Sequence, residues 1–364
     1  MGVSLTPFLV AWRTTPLHDR EVVDALVDPA HAQPSAALAE ALRQWPGSYY
    51  WSNEPDGRHL VLTRPHERRR EVWGLHLVLL LAVLVTTTVT GAIVAGTIPA
   101  HLGAWRGPDF LARLSHGLLF SVPLLAILFT HEMGHYITSR RYQVDASPPF
   151  FLPGFPPPFG IGTFGAFIRL RTIVSDRRQL LDIGAAGPIA GFLVALPILW
   201  IGLQYSHPMP AEDVHGMVVR LGDEFAYPLG DSIVTLLLRR LVPGSSGDIV
   251  LHPTAFAGWF GMFVTMLNLL PMAQLDGGHI IYAATPRLHQ PIARAFWLIV
   301  MVLGWFWFGW WLWGVIVLTL SRGQLRHPPV LDAYRPLPRS RSWLLLLSLV
   351  LFLLTFSPAP FRTP

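Results

Sequence analysis

From Val72 to Pro99 the chain reads VWGLHLVLLLAVLVTTTVTGAIVAGTIP, without one acid, lysine or arginine. About 20 apolar residues suffice to cross a bilayer, and within one every main-chain N–H and C=O must find a partner inside the protein, so such a stretch is driven to helix. Comparable stretches recur at about Leu114 to Ser139, Leu180 to Leu203, Thr254 to Leu275, 295–320 and Trp343 to Phe356. Only 13% of residues are charged, against about 25% in soluble domains. Fourteen Trp and twenty-one Phe suit interface belts and lipid-facing surfaces. The expected fold class is an all-α polytopic membrane protein of about six transmembrane helices, an integral, multi-pass resident of a lipid bilayer.

Charge sets the orientation. RPHERRRE (64–71) places four arginines before the first apolar stretch, and Arg140 and Arg141 follow the second. Basic flanks stay in the cytoplasm, so the N-terminus is expected there. Residues 204–253 carry six acids (Glu212, Asp213, Asp223, Glu224, Asp231, Asp248) against three arginines, which suits an extracytoplasmic segment. The net charge of +5 is scattered beside apolar runs, whereas a nucleic-acid surface needs a continuous basic face, so no nucleic-acid partner is expected. The basic residues include no lysine, the usage of a GC-rich genome, and a bacterial or archaeal cell membrane is the expected location.

Residues 1–70 are the most polar part and are expected to form a small cytosolic α+β segment. It contains a short helix at SAALAEALRQW and a hairpin in YYWSNEPDGRHLVLT turning at Asp56-Gly57. Residues 71–358 form the expected membrane domain. Between its second and third apolar stretches lies VDASPPFFLPGFPPPFGIGTFGAFIRLRTIVSDRR, too broken for helix and too apolar for an ordinary loop. Non-helical backbone at membrane depth survives only under cover of protein or a water-filled cavity, so a re-entrant β-like loop is expected, with TFGAFIRLRTI as a strand. The stretch 295–320 allows one long helix or two short ones hinged near Gly304 and Gly309. The arginines that follow it (322, 326, 335, 339, 341) favour the hairpin, which keeps them inside.

The second apolar stretch ends in FTHEMGHYITSRR (129–141). His131 and His135 lie four apart, so on a helix both imidazoles leave one face, one turn from each other. That spacing suits one zinc ion, with Glu132 between them as general base toward its water. Glu132 paired with Arg140 is the plainer alternative. Ionisable groups inside a membrane are costly and mark functional interiors. With no cysteine in the chain, the third ligand must be His, Asp or Glu. The second and fourth stretches run in the same direction by the charge rule, so QLDGGH brings Asp276 to the level of the two histidines, and His279 competes with it. Two His and a carboxylate are an established zinc set. Asn268, eight residues before Asp276, is placed either to orient substrate and stabilise an oxyanion or to tie two helices together.

HEMGH in one stretch and NLLPMAQLDGG in a later one (Asn268, Pro271, Asp276, Gly277) resemble the site-2 protease family of intramembrane metalloproteases, and GPIAG at 187–191 resembles a small-residue motif of its central helices. The resemblance covers about residues 72–320. It implies a Zn2+ cofactor on His131, His135 and Asp276, water activated by Glu132, and cleavage of a single-pass membrane protein substrate in or near its transmembrane segment. A scissile peptide must unwind, and an extended peptide binds by adding to a strand edge. Phe164, Gly165 and Phe167 of TFGAFIRLRTI are the candidate substrate-binding residues, a space-filling plug being the other reading of this strand. A membrane metal transporter or sensor is the competing function.

Overall fold

REVVDALV buries Val23, Ala25 and Val27 on one face and turns the residues between them outward, the period of a half-buried strand. It is the second strand of the sheet formed by β1 (Leu9–Pro16), β2 (Arg20–Val27), β3 (Tyr49–Glu54) and β4 (Gly57–Pro65), antiparallel in the order β1-β2-β4-β3. Helix α1 (Ala36–Arg43) starts where the Ser35 side chain accepts from the Leu38 N–H, and its Leu38 and Leu42 join Leu60 and Leu62 in the core. The expected α+β character is present. The hairpin, however, turns one residue earlier than expected: Glu54 pairs with Gly57, leaving Pro55-Asp56 as the loop. Proline's fixed φ suits the first central position of such a turn. On β4, His59 lies between Asp24 at 2.7 Å and Asp56 at 3.1 Å. The hydrogen bond to Asp24 raises its pKa above 6.5 against the opposing effect of burial.

The computed structural model describes residues 5–17, 20–31, 35–45, 47–65, 71–99, 107–157, 159–172, 174–209, 216–221, 225–244, 247–328, 330, 332 and 335–362. Arg68, Arg69 and Arg70 of the basic flank and the acids Glu212, Asp213, Asp223 and Glu224 lie outside them. The chain divides into two compact units: residues 1–71 with 139–147 and 169–174, and residues 72–138 with 148–168 and 175–364.

The second unit is helical around its site. Helices α2 (Trp73–Val94) and α5 (Arg177–Gln204), and the stretch Phe110–Arg141 that comprises α3 (Phe110–Ser115) and α4 (Leu118–Arg141), are long and apolar enough to cross a membrane. The all-α expectation is too simple, because strands recur among the helices. A two-stranded antiparallel pair, β5 (Phe150–Pro153) and β6 (Thr163–Phe167), occupies the Pro/Gly/Phe-rich segment. It is latched to α2 at two points: the Thr86 hydroxyl donates to the Gly162 carbonyl at 2.6 Å, and the His76 ring bonds the Pro149 carbonyl at 3.0 Å. Gly162 has φ +87°, and a Cβ there would lie 2.5 Å from the Thr86 carbonyl oxygen, so the turn requires glycine.

Residues 204–253, expected only as a polar segment, contain a small sheet. Its strands β7 (His207–Pro208), β8 (Met217–Leu221), β9 (Phe225–Leu229) and β10 (Ile249–Val250) lie in the order β7-β10-β8-β9, with α6 (Ile233–Leu241) beside them in sequence. Helix α7 (Pro253–Leu269) stops six residues short of the expected Leu275. Pro271 is the physical reason, since proline disfavours helical geometry in the residue before it and has no N–H to donate. Asp276 therefore does not end a span: it is the first residue of a new helix, α8 (Asp276–Ala284).

The ambiguous stretch resolves as a hairpin of α9 (Pro286–Leu303) and α10 (Gly309–Leu320). The Trp297 indole donates to the Gly314 carbonyl at 3.0 Å and the Trp311 indole to that of Met301 at 2.8 Å, which fixes the two arms antiparallel. The loop after it returns to the start of α5: the Asp332 N–H bonds the Ser175 carbonyl, and Arg341 meets Asp182 at 2.9 Å. Helix α11 (Ser342–Thr355) then leads to Phe361, which bridges to Leu229 of β9.

Candidate metal centre

Helix α4 projects His131 and His135 from one face, as the four-residue spacing requires. Their Nε2 atoms lie 3.2 Å apart. The carboxylate of Asp276 closes the triangle, with Oδ2 at 3.2 Å from His131 Nε2 and Oδ1 at 3.3 Å from His135 Nε2. A tetrahedral zinc with nitrogen and oxygen ligands at about 2.0–2.1 Å places those ligands about 3.3–3.4 Å from one another. The three contacts have that spacing, the two to Asp276 running from different oxygens of its carboxylate. The donor chemistry fits as well. The His135 Nδ1–H donates to the Ile183 carbonyl at 2.8 Å, which leaves the Nε2 lone pair facing the triangle, and a second partner of this kind orients metal-ligating histidines generally. Side-chain exposure is only 6%, 8% and 14% for His131, His135 and Asp276, so the convergent lone pairs have little solvent to satisfy them.

The surroundings leave room for those rings. A Cβ at Gly187 would stand 2.0 Å from His135 Nε2, and one at Gly191 would stand 3.1 Å from His131 Nδ1. The GAAGPIAG segment of α5 thus serves less as a generic helix contact than as the wall of the site. Gly277 of α8 leaves room for main chain instead: a Cβ there would meet the Leu269 carbonyl oxygen at 2.0 Å, where α7 ends. Gly277 and Gly278 lie inside α8, after the break that ends α7 at Leu269.

Glu132 is buried beside the triangle and accepts a hydrogen bond from the Ile168 main chain, directly after β6. Arg140, its alternative partner, instead has Asp145 at 3.9 Å. Asn268, one residue before the end of α7, holds its amide nitrogen 3.3 Å from His131 Nε2. The chain between Asn268 and Asp276 is not one helix but irregular at 270–275, and both side chains reach His131 Nε2, at 3.3 and 3.2 Å. His279 is not part of the triangle, and its ring is engaged with His327 at 2.6 Å. Phe164, Gly165 and Phe167 lie on β6, with Phe164 69% exposed and open space over Gly165. Sequence reasoning missed the Ile183 carbonyl and the Ile168 N–H, because main-chain groups carry no residue signature. It also missed His327, which nothing in its RHPP surroundings sets apart. A second acidic group, Glu54, Asp56 and His59, is largely exposed, and both ring nitrogens of His59 are already hydrogen-bonded.

The profile of Peptidase family M50 matches residues 119–308, just over half of the chain and including the whole triangle. "Probable zinc metalloprotease EGY2, chloroplastic" of Arabidopsis thaliana is 34% identical over 180 residues, covering 49% of this chain and 31% of its own. "Probable zinc metalloprotease EGY1, chloroplastic" of Oryza sativa subsp. japonica is 32% identical over 166 residues, covering 44% of this chain and 27% of its own. The chain thus spans about a third of the length of these curated relatives. Both are named as chloroplast proteins of plants, which lends no support to the expected bacterial or archaeal membrane. No solved structure matches. With the two motifs in register and the profile running through both, the chain belongs to peptidase family M50, the site-2 proteases.

Proposed function

We propose that this protein is an intramembrane zinc metalloprotease that hydrolyses peptide bonds in or near the transmembrane segments of membrane-protein substrates. The observation that carries the reading is the convergence of His131, His135 and Asp276, with contacts of 3.2 to 3.3 Å between the imidazole nitrogens and from each to a carboxylate oxygen, the spacing of ligands around one zinc. Zinc held there supplies a Lewis acid and lowers the pKa of water to about 7. Glu132 is the general base that takes a proton from the attacking water and passes it to the leaving amine. A His131 whose lone pair is committed to a metal cannot accept from Asn268, so the Asn268 amide is free to donate to the oxygen that gains charge at the scissile carbonyl.

Phe164, Gly165 and Phe167 hold the substrate in extended form along β6, whose pairing among the described residues is with β5 alone. The hydrogen bond from Ile168 to Glu132 ties the end of that strand to the base. The strand pair enters the membrane beside α2: its two latches, at His76 and Thr86, are ten residues apart, about 15 Å of helix. With the N-terminus cytoplasmic, α2, α4, α5, α7 and α11 cross the membrane, and α9–α10 is the hairpin that stands in for a sixth span. The site-bearing ends then face the cytoplasm and residues 204–253 the opposite side. The transporter reading is not favoured, as the relatives are named metalloproteases.

The test is Glu132→Gln in the full chain, co-expressed with candidate single-pass proteins. Zinc content should stay at the wild-type level while cleavage falls about 10²- to 10⁴-fold, the usual worth of a positioned base. Undiminished cleavage would remove Glu132 from the chemistry.

A further inference from the structure

Asp276 occupies an exposed mechanical position. It opens a helix of nine residues whose N-cap, Leu275, supplies no side-chain hydrogen bond. The turn before it includes Ala273 at φ +48°, a left-handed conformation that alanine adopts only when its surroundings hold it there. Something outside α8 must therefore fix this carboxylate against two imidazoles carried by a different helix.

The structure offers a cluster of side chains behind the aspartate. One turn along α8, His279 Nδ1 lies 2.6 Å from His327 Nε2, and His327 Nδ1 lies 2.5 Å from the Pro328 carbonyl. A carbonyl only accepts, so His327 Nδ1 carries the hydrogen. Neutral His327 then has a lone pair on Nε2, and His279 Nδ1–H donates to it. His327 also stacks on Tyr282 of α8, centroids 4.3 Å apart at 23°. It thus holds α8 at two successive points. On the other side, buried His289 of α9 reaches the Ala273 carbonyl and stands edge-on to both His327 and Tyr282. Asp276 is bracketed three residues before and three residues after by imidazole contacts. The loop that supplies His327 is itself held: Leu325 is buried with φ +46°, and Asp332 bonds the Ser175 carbonyl.

Polar rings in a largely buried setting are costly unless hydrogen-bonded, and plain aromatic residues would fill the same space without that requirement. The directional bond between His279 and His327 is what phenylalanine could not provide.

We infer that His279 and His327 are a positioning pair for the Asp276 carboxylate: a hydrogen bond from α8 to the loop after α10 sets the third corner of the metal triangle, and His289 steadies the turn before it. This rests on the reading of His131, His135 and Asp276 as a zinc site. None of the three outer histidines belongs to the candidate metal triangle. Their part is in ligand geometry.

The experiment uses the full chain in lipid nanodiscs, stripped of metal and titrated with zinc against a chromophoric chelator, and separately loaded with cobalt(II) for its visible absorption. His327→Phe keeps a ring against Tyr282 and removes the acceptor; His327→Gln supplies an acceptor oxygen. The expected result is a zinc affinity about ten- to a hundredfold weaker in His327→Phe, the usual effect of losing an outer partner of a ligand, with a shifted cobalt spectrum. His327→Gln should return both toward wild type, and the metal-free unfolding midpoint should match wild type in each. Wild-type affinity and spectrum in His327→Phe would overturn the inference. So would equal loss in both variants, or a fall in the metal-free midpoint that accounts for the lost affinity, since either would assign His327 to packing. Asp276→Asn is the control: wild-type zinc affinity there would sink the metal-site reading itself, an outcome distinct from failure of the pair.

Discussion

Gly187 shows how much of a candidate metal site can reside in an atom that is absent. Its missing Cβ would sit 2.0 Å from the His135 nitrogen that faces the triangle, and 2.5 Å from two ring carbons, closer than side chains approach without displacement. Gly187→Ala should push the imidazole off its bearing and weaken zinc binding about a hundredfold or more, at or beyond the upper end of what supporting residues contribute. Metal titration of the purified variant checks this, and near-normal affinity would mean that α5 yields easily. At this scale the sequence was informative where chemistry has a residue code. His131, Glu132, His135 and Asp276 could all be named from spacing and charge, and the structure brings them together. The supports were illegible for opposite reasons: Ile183 and Ile168 act through main chain that every residue possesses, and the partnership of His279 with His327 joins positions 48 residues apart.

Between residue and molecule, irregular elements position the site. The apolar stretches announced α2, α4 and α5 to within a few residues, because lipid-length hydrophobicity is a strong local signal. The end of α7 was misplaced since an apolar count sees no difference between helix and the turn that Pro271 enforces. The β5–β6 pair was legible as broken, apolar backbone, but not its attachment to α2. If β6 receives the substrate, a series of single prolines through 163–167 should lower cleavage at least about tenfold while zinc content stays constant, because proline removes a main-chain donor from any peptide pairing. Unaltered cleavage across the series would make the strand a filler. In the polar unit, His59 provides a separate check. Its pKa is raised by Asp24, so its contribution to stability is complete below about pH 6.5 and is lost as pH rises through the higher folded value. Amide exchange of β2 and β4, corrected for intrinsic rates, should report weakening protection over that rise. Asp24→Asn should flatten the dependence.

For the whole molecule, the return of the 321–341 loop to the start of α5 has a topological consequence. Both ends of the α9–α10 hairpin open on one face, so the five arginines that follow lie on the same side as Ser175, with which Asp332 bonds. The chain has no cysteine, so single cysteines report sidedness without background. Cysteines at Ser175 and Gln324 should react with an impermeant maleimide from the same side of sealed vesicles, and one at Gly244 from the other. Labelling of 175 and 324 from opposite sides would turn the hairpin back into a single crossing. Charge counting favoured this arrangement from the sequence but left it ambiguous, because the aromatic run at 295–320 is equally compatible with one tilted helix. The indole bonds between its two arms, which decide the matter, depend on a fold-back no local pattern announces.

The latches that bind the β5–β6 hairpin to α2 bear on how the proposed hydrolysis would find its water. Strand backbone beyond the β5 pairing has carbonyls and amides that hydrocarbon cannot satisfy. At membrane depth, with no strand but β5 paired to β6 among the described residues, they require solvent. If β6 receives the substrate as proposed, solvent held along the edge that no described strand pairs would also supply the reaction, and a peptide seated there would leave the last trapped solvent beside Glu132.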